Sequence, residues 1–271
     1  MSTLPATLFH LSDIHFGRED RQALAWVESE IARWNPAALV ITGDFTMRAR
    51  HREYRAAWSW LAGLELPLWL EVGNHDMPYF NPLERIRDPF RRYRTMRAGL
   101  DRLIAPGEEV LPGLALVSLQ TTIPFQKRWP WVDGWITAEA LESCLAQIDA
   151  LPPGTGALVC GHHPLPERRG DGRLLTFGGA QAMAELARRK VLGVLTGHVH
   201  DAFDLVADTP GGRLRMIGAG TLSHRTRTTP PSFNILHWDG QELELHARNF
   251  AQGGEGAVLV GKVPEGPAPS A

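Results

Sequence analysis

Residues 67–76 read PLWLEVGNHD, and the fold follows from how that stretch is taken. Leu66, Leu68, Trp69, Leu70 and Val72 form a near-continuous apolar run, the pattern of a strand buried on both faces. The run stops abruptly at Gly73-Asn74-His75-Asp76. In open α/β sheets ligands sit just beyond the carboxyl ends of parallel strands, so three polar side chains there mark a site. Asn74 offers a neutral oxygen to a hard cation, and His75 an imidazole that titrates near neutrality. The plainer reading is a strand-to-helix turn, with Gly73 turning the chain and Asp76 capping the next helix. Recurrence elsewhere in the chain decides between the two.

Upstream, Leu4–Leu11 reads as a first strand ending in Ser12-Asp13-Ile14-His15. Residues two apart on an extended segment share a face, so Asp13 and His15 can address one object. A helix over Asp20–Trp34 carries Leu24, Val27, Ile31 and Trp34 on one stripe, and Asn35-Pro36 stops it. Ala37–Thr42 is a second buried strand, ending in Gly43-Asp44, and Tyr54–Leu64 a helix with Trp58 and Leu61 facing inward. Downstream, Leu114–Gln120 is a strand and Thr137–Leu151 a helix opened by Thr137. Ala157–Cys160 ends in Gly161-His162-His163, and Val191–Thr196, which comes after a helix over Gly179–Arg189, ends in Gly197-His198-Val199-His200. Arg213–Ile217, Ser232–Trp238 and Glu242–Phe250 read as antiparallel strands completing a second sheet.

Composition bounds the class. With 271 residues, 44% hydrophobic and 21% charged, the chain can bury a sizeable core. A net charge of −2 gives no long-range pull on nucleic acid or anionic membrane. Two cysteines, Cys144 and Cys160, provide neither a disulfide framework nor zinc-ribbon spacing. No run approaches the roughly 20 apolar residues of a membrane span, and no signal peptide is evident, so a cytoplasmic enzyme is expected. Residues 1–252 read as one domain and 253–271 as a flexible tail. Within the domain, 77–107 is a lid-like insertion rich in proline, with seven arginines between Arg85 and Arg102. It is either a solvated basic face or a phosphate-facing lid. Trp129, Trp131 and Trp135 anchor a loop or wall a substrate pocket.

Five apolar strands thus end in Asp13/His15, Asp44, Asn74/His75, His162/His163 and His198/His200. These clusters hold six of the eleven histidines. Burying such groups unpaired is costly, and a metal centre offsets the desolvation of several ligands at once. One ion takes about four ligands; the set exceeds that and suits two ions sharing the Asp44 carboxylate. Mixed oxygen and nitrogen donors without thiolate favour Mn(II), Fe(II/III) or Zn(II).

The ordered motifs DIH, GD, GNHD, GHH and GHVH resemble those of the calcineurin-like metallophosphoesterase superfamily, and within it the bacterial class III cyclic-nucleotide phosphodiesterase branch. The resemblance covers Leu8 to about Leu236 and implies an α/β class, four-layer α/β/β/α sandwich with the metal site at the strand carboxyl ends. It implies one metal on Asp13, His15, Asp44 and His200, a second on Asp44, Asn74, His162 and His198, and His75 as an outer-sphere catalytic histidine. Asp76 and His163 are expected to support these ligands from behind. The chain reads GDFTMRAR where the protein-phosphatase branch carries GDxxDRG, which argues against that branch and leaves His75 without an assigned orienting partner. GTLSHRTRTTPPSFNIL resembles the segment after GHxH, placing His224, Arg225 and Arg227 at the site rim. The expected reaction is hydrolysis of a small-molecule phosphodiester, 3′,5′-cyclic nucleotides among them, by a metal-bridging hydroxide, with protonated His75 assisting the oxyanion or leaving alkoxide. A phosphomonoesterase, a nucleotide or lipid pyrophosphatase, and a catalytically silent scaffold of the same fold are the alternatives. No nucleic-acid signature is present, and homodimerisation is left open.

Overall fold

The computed structural model describes residues 6–127, 132–166 and 176–250, and the backbone of 257–258. Trp129, Trp131 and most of the tail from Gly253 lie outside the described residues. In chain order the first half holds β1 (Ala6–Leu11), α1 (Arg21–Trp34), β2 (Ala38–Ile41), α2 (His51–Leu64), β3 (Leu68–Leu70), α3 (Pro82–Arg87) and α4 (Arg91–Ala98). The second half holds β4 (Leu114–Ser118), β5 (Gly134–Trp135), α5 (Ala138–Asp149), β6 (Gly156–Cys160), β7 (Thr176–Phe177), α6 (Gly179–Arg188) and β8 (Gly193–Thr196). It closes with β9 (Phe203–Thr209), β10 (Gly212–Gly218), β11 (Ser232–Trp238), β12 (Leu243–Asn249) and β13 (Ala257–Val258).

Strand parity builds the layers. Leu8, Ala38 and Val40 point between two sheets, against Leu114, Leu116, Leu158, Leu195 and Ile217. Their strand neighbours Phe9, Leu11, Leu39 and Ile41 point the other way, onto Leu24 and Val27 of α1 and Ala57 and Leu61 of α2. Val117, Val159 and Val194 likewise turn outward onto Leu141 of α5 and Leu186 of α6. A strand apolar at every position must be covered on both faces, and the four-layer sandwich supplies that cover. Both cysteines are buried, and burial pushes the Cys144 thiol up to about 12.

One sheet runs β13-β12-β11-β1-β2-β3 and the other β4-β6-β8-β10-β9. β1, β2 and β3 are mutually parallel, as are β4, β6, β8 and β10. The three strands expected to complete a second sheet in antiparallel fashion depart from that expectation, and β10 runs parallel to β8. Only β10, with its partner β9, extends the second sheet; β11 pairs antiparallel with β1, and β12 with β11, so both complete the first. The open flank of β1 accepts β11, whose Phe233 and Ile235 join the outer core of the first sheet while Leu236 and Trp238 join the inter-sheet core. β13, inside the segment read as tail, pairs with β12. Trp58 is 42% exposed rather than core; Tyr54, Ala57 and Leu61 are the buried face of α2.

The arginine-rich segment packs as a brace on the first sheet. Met96 and Leu100 enter the outer core, and the Tyr93 hydroxyl donates to Leu70 O at 2.6 Å. Arg91 and Arg92 both bind the Glu84 carboxylate, Arg92 also donates to Ala49 O, and Arg85 donates to Pro124 O. These cations are engaged with the segment and its neighbouring loops.

Candidate metal centre

The parallel strands of both sheets bring their carboxyl ends to one edge of the sandwich. Ladder bonds Asp13 N–H to Gly43 O (3.1 Å) and His15 N–H to Asp44 O (2.9 Å) continue the β1–β2 pairing past the strands and tie the two loops together. Asp13, His15, Asp44, His198 and His200 all have positive φ, at 54°, 52°, 54°, 67° and 66°. That region costs a non-glycine residue roughly 1 kcal/mol or more. Five such residues in one cluster show a site whose side-chain directions outrank backbone comfort.

Glycines permit the close approach. A Cβ on Gly73 would overlap the backbone nitrogen and carboxylate of Asp44, and one on Gly43 would come within 2.7 Å of the Gly73 nitrogen and of His162 Nδ1. Behind them the Asp76 carboxylate accepts from Gly73 N (3.0 Å), Phe45 N (3.2 Å), Thr46 N (2.9 Å) and the Thr46 hydroxyl (3.1 Å), tying the GD and GNHD loops together. The capping role expected of Asp76 is realised within this turn rather than on a long helix after it.

Two donor groups result. In the first, Nε2 of His15 and of His200 lie 3.2 Å apart, and stand 3.5 and 3.1 Å from Asp13 Oδ1. His15 Nδ1 is bonded to Thr46 O and His200 Nδ1 to Arg225 O, so each ring proton sits on Nδ1 and each Nε2 presents a lone pair. Two lone pairs and a carboxylate oxygen face one another there. Asp13 Oδ1 is buried and accepts no hydrogen bond among the described residues. A cation satisfies all three atoms. Without one a proton serves: burial disfavours charge on His200, but Asp13 outweighs it and raises the His200 pKa.

In the second group His162 Nε2 lies 3.1 Å from Asn74 Oδ1 and 3.4 Å from Asp44 Oδ2, and His198 Nδ1 lies 3.2 Å from Asn74 Oδ1. Asp44 Oδ2 is also 3.7 Å from His15 Nε2, so one carboxylate oxygen faces both groups. Burial alone would raise both carboxyls; His200 and His15 hold Asp13, and His162 and His75 hold Asp44, well below the usual carboxylate range. Burial would depress His162, yet Asp44 and Asp13 lift it to about 9. Burial, with His163 and His162 nearby, pushes His198 down. The donor set fits two metal ions.

His163 is close to His162 and His198, but both of its ring nitrogens are taken: Nδ1 by the Thr121 hydroxyl (2.9 Å) and Nε2 by Val132 O (3.0 Å). Thr121 Oγ1 also accepts from the backbone N–H of both His162 and His163, which makes it the brace of that loop. The sequence reading missed Thr121. Its place at the end of β4, a sixth strand end beside the other five, was the available signal.

His75 points at the first group, its ring 4.9 Å from that of His15. Its Nδ1 donates to Met47 O at 2.7 Å, so a main-chain carbonyl fills the orienting role that GDFTMRAR left open. Burial pushes His75 down to about 4, against the pull of Asp44 and with His15 and Arg225 adding to the effect. Among the rim candidates, Arg225 reaches the site, with Nη1 3.0 Å from His15 Nε2 and 3.2 Å from His75 Nε2. His224 instead lies exposed, 3.6 Å from Asp20.

The family model described as calcineurin-like phosphoesterase matches residues 6–202. The chain belongs to that family. Members depend on two metal ions, in keeping with the two donor groups. A curated relative, glycerophosphodiester phosphodiesterase GpdQ of Enterobacter lignolyticus (strain SCF1), is 23% identical over 214 residues, spanning 72% of this chain and 70% of that protein. Among solved structures, a dimetal phosphatase from Danio rerio aligns with a TM-score of 0.61 at 13% identity, covering 89% of this chain and 98% of that one. The purple acid phosphatase PPD1 from yellow lupin (Lupinus luteus) seeds aligns at 0.64 and 12%, covering 93% and 52%. These likenesses agree on the fold. The chain is accordingly a metal-dependent phosphoric ester hydrolase by family. No described helix is long and apolar enough to cross a membrane.

Proposed function

We propose that this chain is a dinuclear-metal phosphodiesterase of the class III type, acting on small diesters such as glycerophosphodiesters or 3′,5′-cyclic nucleotides. The observation that carries the two-ion reading is Asp44 Oδ2 facing His15 on one side and His162 on the other. Asp13, His15, Asp44 and His200 would hold one ion, and Asp44, Asn74, His162 and His198 the other, with manganese, iron or zinc suited to such donors. Bound ions supply Lewis-acid neutralisation of phosphoryl oxygens and a hydroxide nucleophile at neutral pH. The chain's own part is to hold the donors rigidly through Asp76 and Thr121, and to place His75 and Arg225 beside the phosphoryl group. Preference for diesters is supported by the GpdQ relative, whose name gives a diester as its substrate.

The test is a paired assay on metal-stripped protein reloaded with Mn(II). It follows bis(p-nitrophenyl) phosphate against p-nitrophenyl phosphate, with cyclic AMP and a glycerophosphodiester as natural-type diesters. Faster diester turnover is expected. Monoester preference would move the enzyme to a phosphatase reading on the same site, and failure to bind two metals would remove the reading altogether.

A further inference from the structure

We propose that Arg225 is the side chain that binds the phosphoryl oxygens of the substrate, with His75 Nε2 holding its guanidinium in place. This rests on the site being that of a phosphoric ester hydrolase.

A guanidinium only donates, and a main-chain carbonyl only accepts. His75 lies between one of each: Nδ1 faces Met47 O at 2.7 Å and Nε2 faces Arg225 Nη1 at 3.2 Å. The proton therefore sits on Nδ1, and the Nε2 lone pair is directed at the arginine. In this arrangement the positive charge beside His75 belongs to Arg225.

The loop that carries Arg225 is anchored on both sides of it. Thr221 Oγ1 donates to Asp13 O at 2.7 Å, Ser223 N–H donates to Thr221 Oγ1 at 3.1 Å, and Arg225 N–H to Ser223 Oγ at 3.2 Å. His224 N–H donates to Arg18 O, Arg225 O accepts from His200 Nδ1 at 2.6 Å, and Thr228 and Thr229 N–H both donate to Asp201 Oδ1 at 3.1 Å. The loop is thus bonded directly to two of the segments that bear the ligands. A side chain on such a support is pre-organised, and binding loses less freedom to it.

Arg225 Nη1 has a second acceptor, His15 Nε2, at 3.0 Å. That lone pair belongs to the first donor group. A metal ion held by that lone pair would take His15 from the guanidinium and free donor capacity at the centre itself. The acceptors that a phosphoric ester brings there are its non-bridging oxygens, which match the planar arginine fork and which lysine meets only as a point charge.

The test uses the full chain loaded with Mn(II), as wild type, Arg225→Lys, Arg225→Ala and His75→Gln. Metal per chain is measured by elemental analysis, the Kd for inorganic phosphate by calorimetry, and kcat/KM on an aryl-leaving diester, bis(p-nitrophenyl) phosphate, and an alkoxide-leaving glycerophosphodiester. Arg225→Ala is expected to keep two metals, weaken phosphate about tenfold or more, and lower kcat/KM by roughly a hundredfold on both diesters alike. Arg225→Lys recovers part of the phosphate affinity. His75→Gln weakens phosphate severalfold and slows both diesters by similar factors. Three results would overturn the proposal: wild-type phosphate affinity in Arg225→Ala; loss of metal in Arg225→Ala and Arg225→Lys alike, which makes Arg225 a counter-ion to the carboxylates; or a His75→Gln defect at least tenfold larger on the alkoxide-leaving diester, which makes His75 the proton donor. Arg225-dependent phosphate binding in a protein inert toward diesters would sustain the arginine assignment while removing the phosphodiesterase reading.

Discussion

Asp44 and Glu71 are both buried carboxyl groups at the ends of neighbouring strands, and their acidities are shifted in opposite directions. Asp44, with imidazoles of His15, His75 and His162 around it, is held ionised well below the usual range. Glu71, at the end of β3, has neutral partners, the Trp69 indole N–H at 2.8 Å and the Ser118 hydroxyl at 2.9 Å. Burial pushes it up to about 7. Burial alone would raise both; what differs is how much positive charge acts on the carboxylate, the surrounding imidazoles outweighing burial at Asp44 and burial outweighing Arg97 at Glu71. One region is built around an anion that needs cations, the other around an acid whose ionisation burial opposes.

The contrast is broken most severely by Asp44→Asn, which removes the carboxylate facing both donor groups. We expect loss of metal and a turnover drop of roughly a thousandfold, the size of several kcal/mol of lost charge stabilisation. Elemental analysis and a diester assay read the two effects separately, and retention of both metals would refute the bridging role.

Glu71→Gln tests the other side. Between about pH 4.5 and 7 the folded chain keeps a proton that the unfolded chain has released. This contribution is therefore fully present below 4.5 and is lost as pH rises through 7, about 3 kcal/mol in all. Urea unfolding at pH 5 and pH 8 should show that loss in the wild type and a correspondingly flatter dependence in the variant. Equal slopes would mean that Glu71 is not the group holding the proton.

A smaller effect is expected from Gly73→Ala, whose methyl group would press on Asp44 itself. Overpacking of this kind costs roughly 2 kcal/mol, visible as a lower denaturation midpoint in metal-stripped protein together with weakened metal binding. The smallest comes from Glu84→Gln in the brace. Losing its pairs with Arg91 and Arg92 should cost about 1 kcal/mol and leave diester turnover unchanged. A clear rise in turnover would show that these arginines serve phosphate after all.

Much of this was legible before folding was considered. β1, β2, β3, β6 and β8 stood out because an apolar run bounded by Gly and a ligand-type residue is a local signal. β9, with its half-exposed residues Phe203–Thr209, lacks that contrast and carries no such signal. β11 and β12 read as strands from their sequence, but their sheet does not follow from it, since strand partners are chosen by non-local packing of Phe233, Ile235 and Leu236. His10 shows the converse. It is a buried histidine bonded to Thr42 and Asn234 between the sheets, outside the constellation.

By itself the sequence determined which atoms are available: oxygen and imidazole donors, no thiolate, at five strand ends, in the order of the calcineurin-like family. Covalent identity and period-two patterning are properties of a few adjacent residues, so they survive without coordinates. The tertiary structure alone decided which lone pairs converge, that Met47 O orients His75, that both nitrogens of His163 are taken, and that Arg225 enters the centre. It also shifted the acidities of Asp44 and Glu71 in opposite directions. Those outcomes depend on distances of about 3 Å between residues far apart in the chain, and on dielectric and charge summed over all that surround them.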